Sequence, residues 1–174
     1  MRIFCFALLT MFSSLCNAAE ASRQMATHLK IRFNTDSNSS EPVCLAKNIF
    51  FEARDQGVKG MYAVASVTLN RVRDPRWPNT ICGVVKQKKL RHKWICQFSW
   101  FCDGKSDKPN LKLKMERNAW DMSKLIASVF LSYNVPDTTG GAMWYHADFV
   151  APKWANSYVV TTQINNHIFY QDTE

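Results

Sequence analysis

Residues 44–54 read CLAKNIFFEAR, and one acid among them, Glu52, decides how the chain is understood. Wound as a helix, the stretch sets Leu45, Ile49 and Glu52 at i, i+4 and i+7, so the carboxyl shares the face that carries the large apolar residues. Burying a carboxylate without a partner is costly, so a carboxyl among apolar groups tends to keep its proton and its pKa rises. A Glu protonated near neutral pH is a proton donor, which general acid catalysis requires. Periodicity equally allows Glu52 to turn out at the helix edge into solvent.

Working outward, Ser40, Glu41 and Pro42 make a helix start, with a capping residue and a proline in the first turn. A second helix is predicted over residues 58–72, with Met61, Val64, Ala65, Thr68, Leu69 and Val72 on its core face. Asp74-Pro75 and Pro78 break it and open a long irregular stretch that runs through QFSWFCDGKSDKPN. A third helix is predicted over 111–132; Met115, Ala119, Met122, Ile126, Val129 and Tyr133 keep a helical period, so it is expected to be the central buried helix. MWYHADFVAPKW, at 143–154, has no clear period and is expected to be an aromatic loop. The tail YVVTTQINNHIFY carries two β-prone runs about Asn165-Asn166, a pair suited to a tight hairpin turn. The expected fold class is α+β in a single domain, mainly helical with a small β-hairpin, and the chain is expected to be a monomer.

With 174 residues, 47% of them hydrophobic, the chain suits one domain with a real core. Its first 18 residues have Arg2, an apolar run from Ile3 to Leu15 and small residues at Cys16 and Ala18, the pattern of a cleavable secretory signal. The run is too short for a stable membrane span, with an uncleaved signal-arrest segment as the alternative. The protein is therefore expected to be exported, to the periplasm or beyond. Residues 19–41 are polar and read as a linker, leaving 42–174 as the working domain. Losing the leader leaves Cys44, Cys82, Cys96 and Cys102; four cysteines in an exported chain favour two disulfides, with three pairings open. No CxxC or HExxH motif supports a metal site, and no cofactor is expected. The net charge of +8 favours polyanions and anionic wall polymers, and the run KQKKLRHK at 86–93 is a candidate grip for one or a plain solvated face. Export and paired cysteines argue against nucleic acid as the partner.

CLAKNIFFEAR, VASVTLNRVRDPRWPNTICGVV (64–85), QFSWFCDG (97–104), WYHADFVAPKWA (144–155) and INNHIFY (164–170) stand in the order found in the SleB/CwlJ-type cell-wall hydrolase family, which the chain resembles over about residues 43–170. The resemblance implies a lysozyme-like domain that degrades peptidoglycan, with Glu52 matching the catalytic glutamate of the family's EARGE block. Asp55-Gln56 stands where the family has Gly-Glu, and Asn165 where its turn commonly has Gly. Within the matching blocks, Gln97, Ser99, Tyr145 and His146 are candidates to bind substrate, with a structural histidine the competing reading of His146. Trp100 and Trp144 either stack on sugar rings or pack in the core. Retaining and inverting glycosidases need two carboxylates, and Glu52 has no obvious partner. Asp55, Asp103 and Asp148 each read as turn or surface residues. A lytic transglycosylase needs only one acid, because the muramic 6-hydroxyl is the nucleophile; this is the expected reaction between N-acetylmuramic acid and N-acetylglucosamine. A hydrolase of the same bond, with Asp103 or Asp148 as base, and a non-catalytic glycan-binding module are the alternatives.

Overall fold

Helix α1, Glu41–Ala53, is the centre of the molecule: Val43, Cys44, Leu45, Ala46, Ile49, Phe50 and Ala53 are all buried on it. A helix apolar nearly all round belongs inside, and α1 packs against α2 (Gly57–Arg73), α3 (Ile81–Val85) and α4 (Lys114–Ser132). The computed structural model describes residues 40–88 and 96–172, which lie within one unit, Asp36–Glu174. The leader, the linker up to residue 39 and residues 89–93 of the basic run lie outside the described residues.

The start of α1 is fastened twice to α3. Cys44 is disulfide-bonded to Cys82, and the Glu41 carboxylate accepts from the backbone N–H groups of Ile81 (2.5 Å) and Cys82 (3.2 Å). A second disulfide, Cys96–Cys102, closes the loop that carries Gln97 and a 3-10 turn, Ser99–Phe101. No described helix is long and apolar enough to cross a membrane.

Two expectations are corrected. Helix α4 ends where predicted and starts three residues later, yet it is a surface helix: Met115 is 84% exposed and Tyr133, just past its end, 66%. Its buried face is Ser123, Ile126, Ala127 and Phe130, where two small residues allow a close approach and the Ser123 hydroxyl is satisfied by the carbonyl of Ala119 at 2.8 Å. The aromatic stretch after Met143 is not all loop. Trp144–Ala147 forms strand β1, which pairs with β3 (His167–Gln171), and β3 pairs with β2 (Val159–Ile164); the sheet is antiparallel in the order β1-β3-β2. The strand escapes a period-2 reading because both its faces carry aromatics. The predicted hairpin joins β2 to β3, with Asn165 in the left-handed region at φ 51°.

One sheet face meets α2, where Phe169 is buried with Ala63, Val67 and Ala142 and is flanked by Tyr145 and Ile164. On the opposite face, His146 stacks on Tyr170 and Trp144 lies against Tyr158. The loop before β1 is built on Asp137, whose carboxylate accepts from Thr139 N–H (2.8 Å) and O–H (2.7 Å), Gly141 N–H (2.6 Å) and Asn70 Nδ2 (3.0 Å). Burial alone would raise the Asp137 carboxyl, but these hydrogen bonds outweigh it and leave it below its ordinary pKa.

Candidate active site

Glu52 sits in the last turn of α1, where the core face runs out toward the sheet. It is partly buried, and its Oε2 accepts the Tyr145 hydroxyl at 2.8 Å. Removal from water raises the Glu52 pKa; the Tyr145 hydrogen bond and the nearby Arg71 charge oppose that rise without cancelling it. Burial and the Glu52 charge hold the Tyr145 phenol well above its ordinary pKa, so it stays a donor. The combination is an acid that holds its proton more tightly than a solvated Glu, beside two groups placed to steady the carboxylate when the proton leaves.

Tyr145 also lines a cleft of about 520 Å³ whose walls include Arg71, Trp77, Gln97, Trp144 and Tyr158. Glu52 is not among the lining residues and meets the cleft through Tyr145. The aromatic side is a continuous ledge: Trp144 and Tyr158 lie 4.1 Å apart between ring centres, with Trp77 and Trp154 flanking them. Arg76 shores up that ledge, pairing with Asp74 and Asp172 at 2.7 Å each while covering the Trp144 ring. Aromatic faces of this kind suit the apolar faces of sugar rings.

Arg71 is the residue that the sequence reading passed over. It is 2% exposed, its Nε donates to the carbonyl of Met143 at 2.7 Å, and its guanidinium lies over Trp77 and Phe98 at 4.5 and 5.1 Å. The Gln97 amide, turned with its oxygen inward, accepts from Nη1 (3.1 Å) and Nη2 (3.2 Å). Desolvation pulls the Arg71 pKa down to about 10, opposed by Tyr145 and Glu52, so it remains a cation at neutral pH. A signal existed: Arg71 falls three residues after Thr68 and seven after Val64, on the core face of α2.

The structure thus brings Glu52, Tyr145 and Gln97 together and leaves the other two candidates apart. His146 points to the outer sheet face, where Nε2 meets the Tyr170 hydroxyl at 2.7 Å and Nδ1 the carbonyl of Ala147 at 2.9 Å. Ser99 is exposed at the start of the 3-10 turn and is not part of the cleft lining. Of the two tryptophans, Trp144 faces the cleft, while Trp100 is buried, stacked on Phe51 and donating to Asn48 Oδ1 at 3.1 Å. Asp55, Asp103 and Asp148 are exposed, and Asp103 closes a local turn with Lys105 N–H. Among the described residues, no three His, Cys, Asp or Glu side chains converge as a metal site.

The sequence profile of the cell wall hydrolase family matches residues 55–170, a span that begins just after Glu52. A spore cortex-lytic enzyme from Bacillus cereus is 29% identical over 126 residues, covering 72% of this chain and 42% of that protein. One from Oceanobacillus iheyensis is 28% identical over 126 residues, covering 72% and 39%. The chain therefore spans about two-fifths of the length of these curated relatives. Among solved structures, the catalytic domain of the germination-specific lytic transglycosylase SleB from Bacillus anthracis superposes with a TM-score of 0.54 at 25% identity, covering 79% of this chain and 98% of that one.

Proposed function

The chain belongs to the cell wall hydrolase family, of the SleB/CwlJ type with a lysozyme-like fold, and from that premise we propose that it degrades peptidoglycan by cleaving the β-1,4 bond between N-acetylmuramic acid and N-acetylglucosamine. Glu52 carries the chemistry. As general acid it gives its proton to the glycosidic oxygen as the bond to the muramic anomeric carbon breaks. As carboxylate it then takes the proton of the muramic 6-hydroxyl while that oxygen bonds to the same carbon, closing a 1,6-anhydro ring. The proton count balances over the two steps, and water is not consumed.

The observation that carries the reading is the desolvated acid: Glu52, its pKa raised by burial and its carboxyl bonded to Tyr145 beside an aromatic cleft, while Asp55, Asp103 and Asp148 are exposed. A two-carboxylate mechanism would have to recruit one of these solvated acids as its second group, about 5 to 10 Å from the first. The SleB neighbour is a lytic transglycosylase, which supports the same choice. Tyr145 and Gln97 serve the substrate from the cleft wall, and the ledge around Trp144 takes the sugar faces. Residues 1–18 act as the export signal and the polar stretch from 19 up to the start of α1 as the linker, which takes the domain to the wall outside the cytoplasm.

Mass spectrometry of products from purified peptidoglycan tests the reaction. Chain ends with 1,6-anhydro-muramic acid are expected; ends heavier by one water would assign the hydrolase instead, and binding without cleavage would leave a glycan-binding module.

A further inference from the structure

Arg71 is a buried cation, and the ion pairs of the described residues do not include it. An unpaired charge inside a protein is held there at a cost, yet every side of this guanidinium is fitted: Nε to Met143, both Nη groups to Gln97, and its faces to Trp77 and Phe98. Met143 directly precedes β1, so the bond to its carbonyl sets the strand that holds Tyr145 against Glu52. The titratable and charged groups near this spot are Glu52 from α1, Tyr145 from β1 and Arg76, which lines the same cleft, with His167 of β3 against the Tyr145 ring. Arg71 is thus a fixed charge whose acidic neighbour is Glu52, an acid expected to cycle between neutral and ionised.

We propose that Arg71 is a positioning residue for the reaction, fixing the strand of Tyr145 through Met143 and supplying the positive charge against which Glu52 becomes a carboxylate after proton transfer. This rests on the reading of Glu52 as acid and then base. While Glu52 is protonated, Arg71 stands without a counter-ion. When the proton moves to the leaving oxygen, a buried charge pair appears, and its attraction offsets part of the cost of a desolvated carboxylate. Gln97 acts through Arg71, presenting an uncharged acceptor; an acid at that position would occupy the guanidinium permanently and remove its attraction for Glu52.

The test is the pH dependence of kcat/KM on purified peptidoglycan for wild type, Arg71→Met, Arg71→Lys and Gln97→Glu. Activity should fall on the alkaline side as Glu52 loses its proton. Removing the Arg71 charge, or neutralising it with Gln97→Glu, makes that proton harder to lose. The alkaline limb should move up by about one pH unit in both variants, with a rate loss of about tenfold or more. Arg71→Lys should keep the wild-type limb and lose rate, since lysine keeps the charge but not the planar set of bonds. Limbs at the wild-type pH in Arg71→Met and Gln97→Glu, with Glu52→Gln inactive, would overturn this inference alone. Should Arg71→Met fail to fold by circular dichroism, Gln97→Glu decides, because it retains the guanidinium and its ring contacts. A fully active Glu52→Gln enzyme would overturn the reading of the site and this inference with it.

Discussion

Replacing Glu52 with Gln separates the chemistry from the fold, and it should do opposite things to each. The amide is nearly the same size, and its oxygen can still accept the Tyr145 hydroxyl now bonded to Glu52 at 2.8 Å. What disappears is the proton, and with it both roles. General acid or base transfer contributes roughly 10²- to 10⁴-fold, and one residue performing both steps should place the loss at or above about 10³-fold, or about 4 kcal/mol of barrier. Stability should move the other way. Burial raises the folded-state pKa of Glu52 above its unfolded value of about 4.3. A raised acid favours the fold fully only below the unfolded pKa, and that contribution is lost as pH rises through the folded pKa. The variant has no such loss, so it should match wild type near pH 4 and exceed it at pH 8. Urea denaturation across that range measures the second effect, and release of soluble muropeptides measures the first. Residual activity within about tenfold of wild type, or a stability difference that ignores pH, would refute the assignment of Glu52 as a desolvated acid that transfers the proton.

Other perturbations probe the parts that hold this acid. Tyr145→Phe keeps the ring contacts with Phe169 and His167 but loses the donor to Glu52; unfolding should change by less than about 1 kcal/mol while kcat drops about tenfold in steady-state assays. Asp137→Ala removes the acceptor of four hydrogen bonds in the loop before β1 and should cost about 2 kcal/mol at pH 7 in chemical denaturation, the partial exposure of the site tempering the loss. Because the folded pKa of Asp137 is depressed, its contribution is present above the unfolded value of about 3.9 and is lost as pH falls through the folded one, so the gap between variant and wild type should shrink in acid. Asn48→Ala strands the buried indole N–H of Trp100 and opens a void beside Thr68; a loss of about 3 kcal/mol by urea titration is expected.

What the sequence made legible, and what it hid, follows from how long each pattern is. Helices α1 and α2 run three or more turns, enough for the 3.6-residue period to place Glu52 near the core edge. The same test, a charge on a face that should be apolar, would have found Arg71 had it been applied to α2 as it was to α1. In α4 the period is genuine, but two faces compete, and the buried one is chosen by small residues, Ser123 and Ala127, that no hydrophobicity count favours. A strand of four residues such as β1 is too short for any period, and its partners lie 20 to 26 residues away along the chain. The same distance hides how the departures from the family pattern fit together. Gln56, standing where the family has an acid, accepts the Asn166 backbone N–H through its Oε1 at 3.2 Å. Asn165, standing where the family's turn commonly has Gly, donates through Nδ2 to the carbonyl of Gln56. Asp55, standing where the family has Gly, needs no left-handed backbone, since the left-handed residue in that turn is Gly57 at φ 61°. Two substitutions that look independent in sequence, 109 residues apart, therefore meet in one junction. That junction ties the turn after Glu52 to the tip of the β2–β3 hairpin, so Gln56 need not transfer a proton to serve the site: it holds the end of the helix on which Glu52 stands.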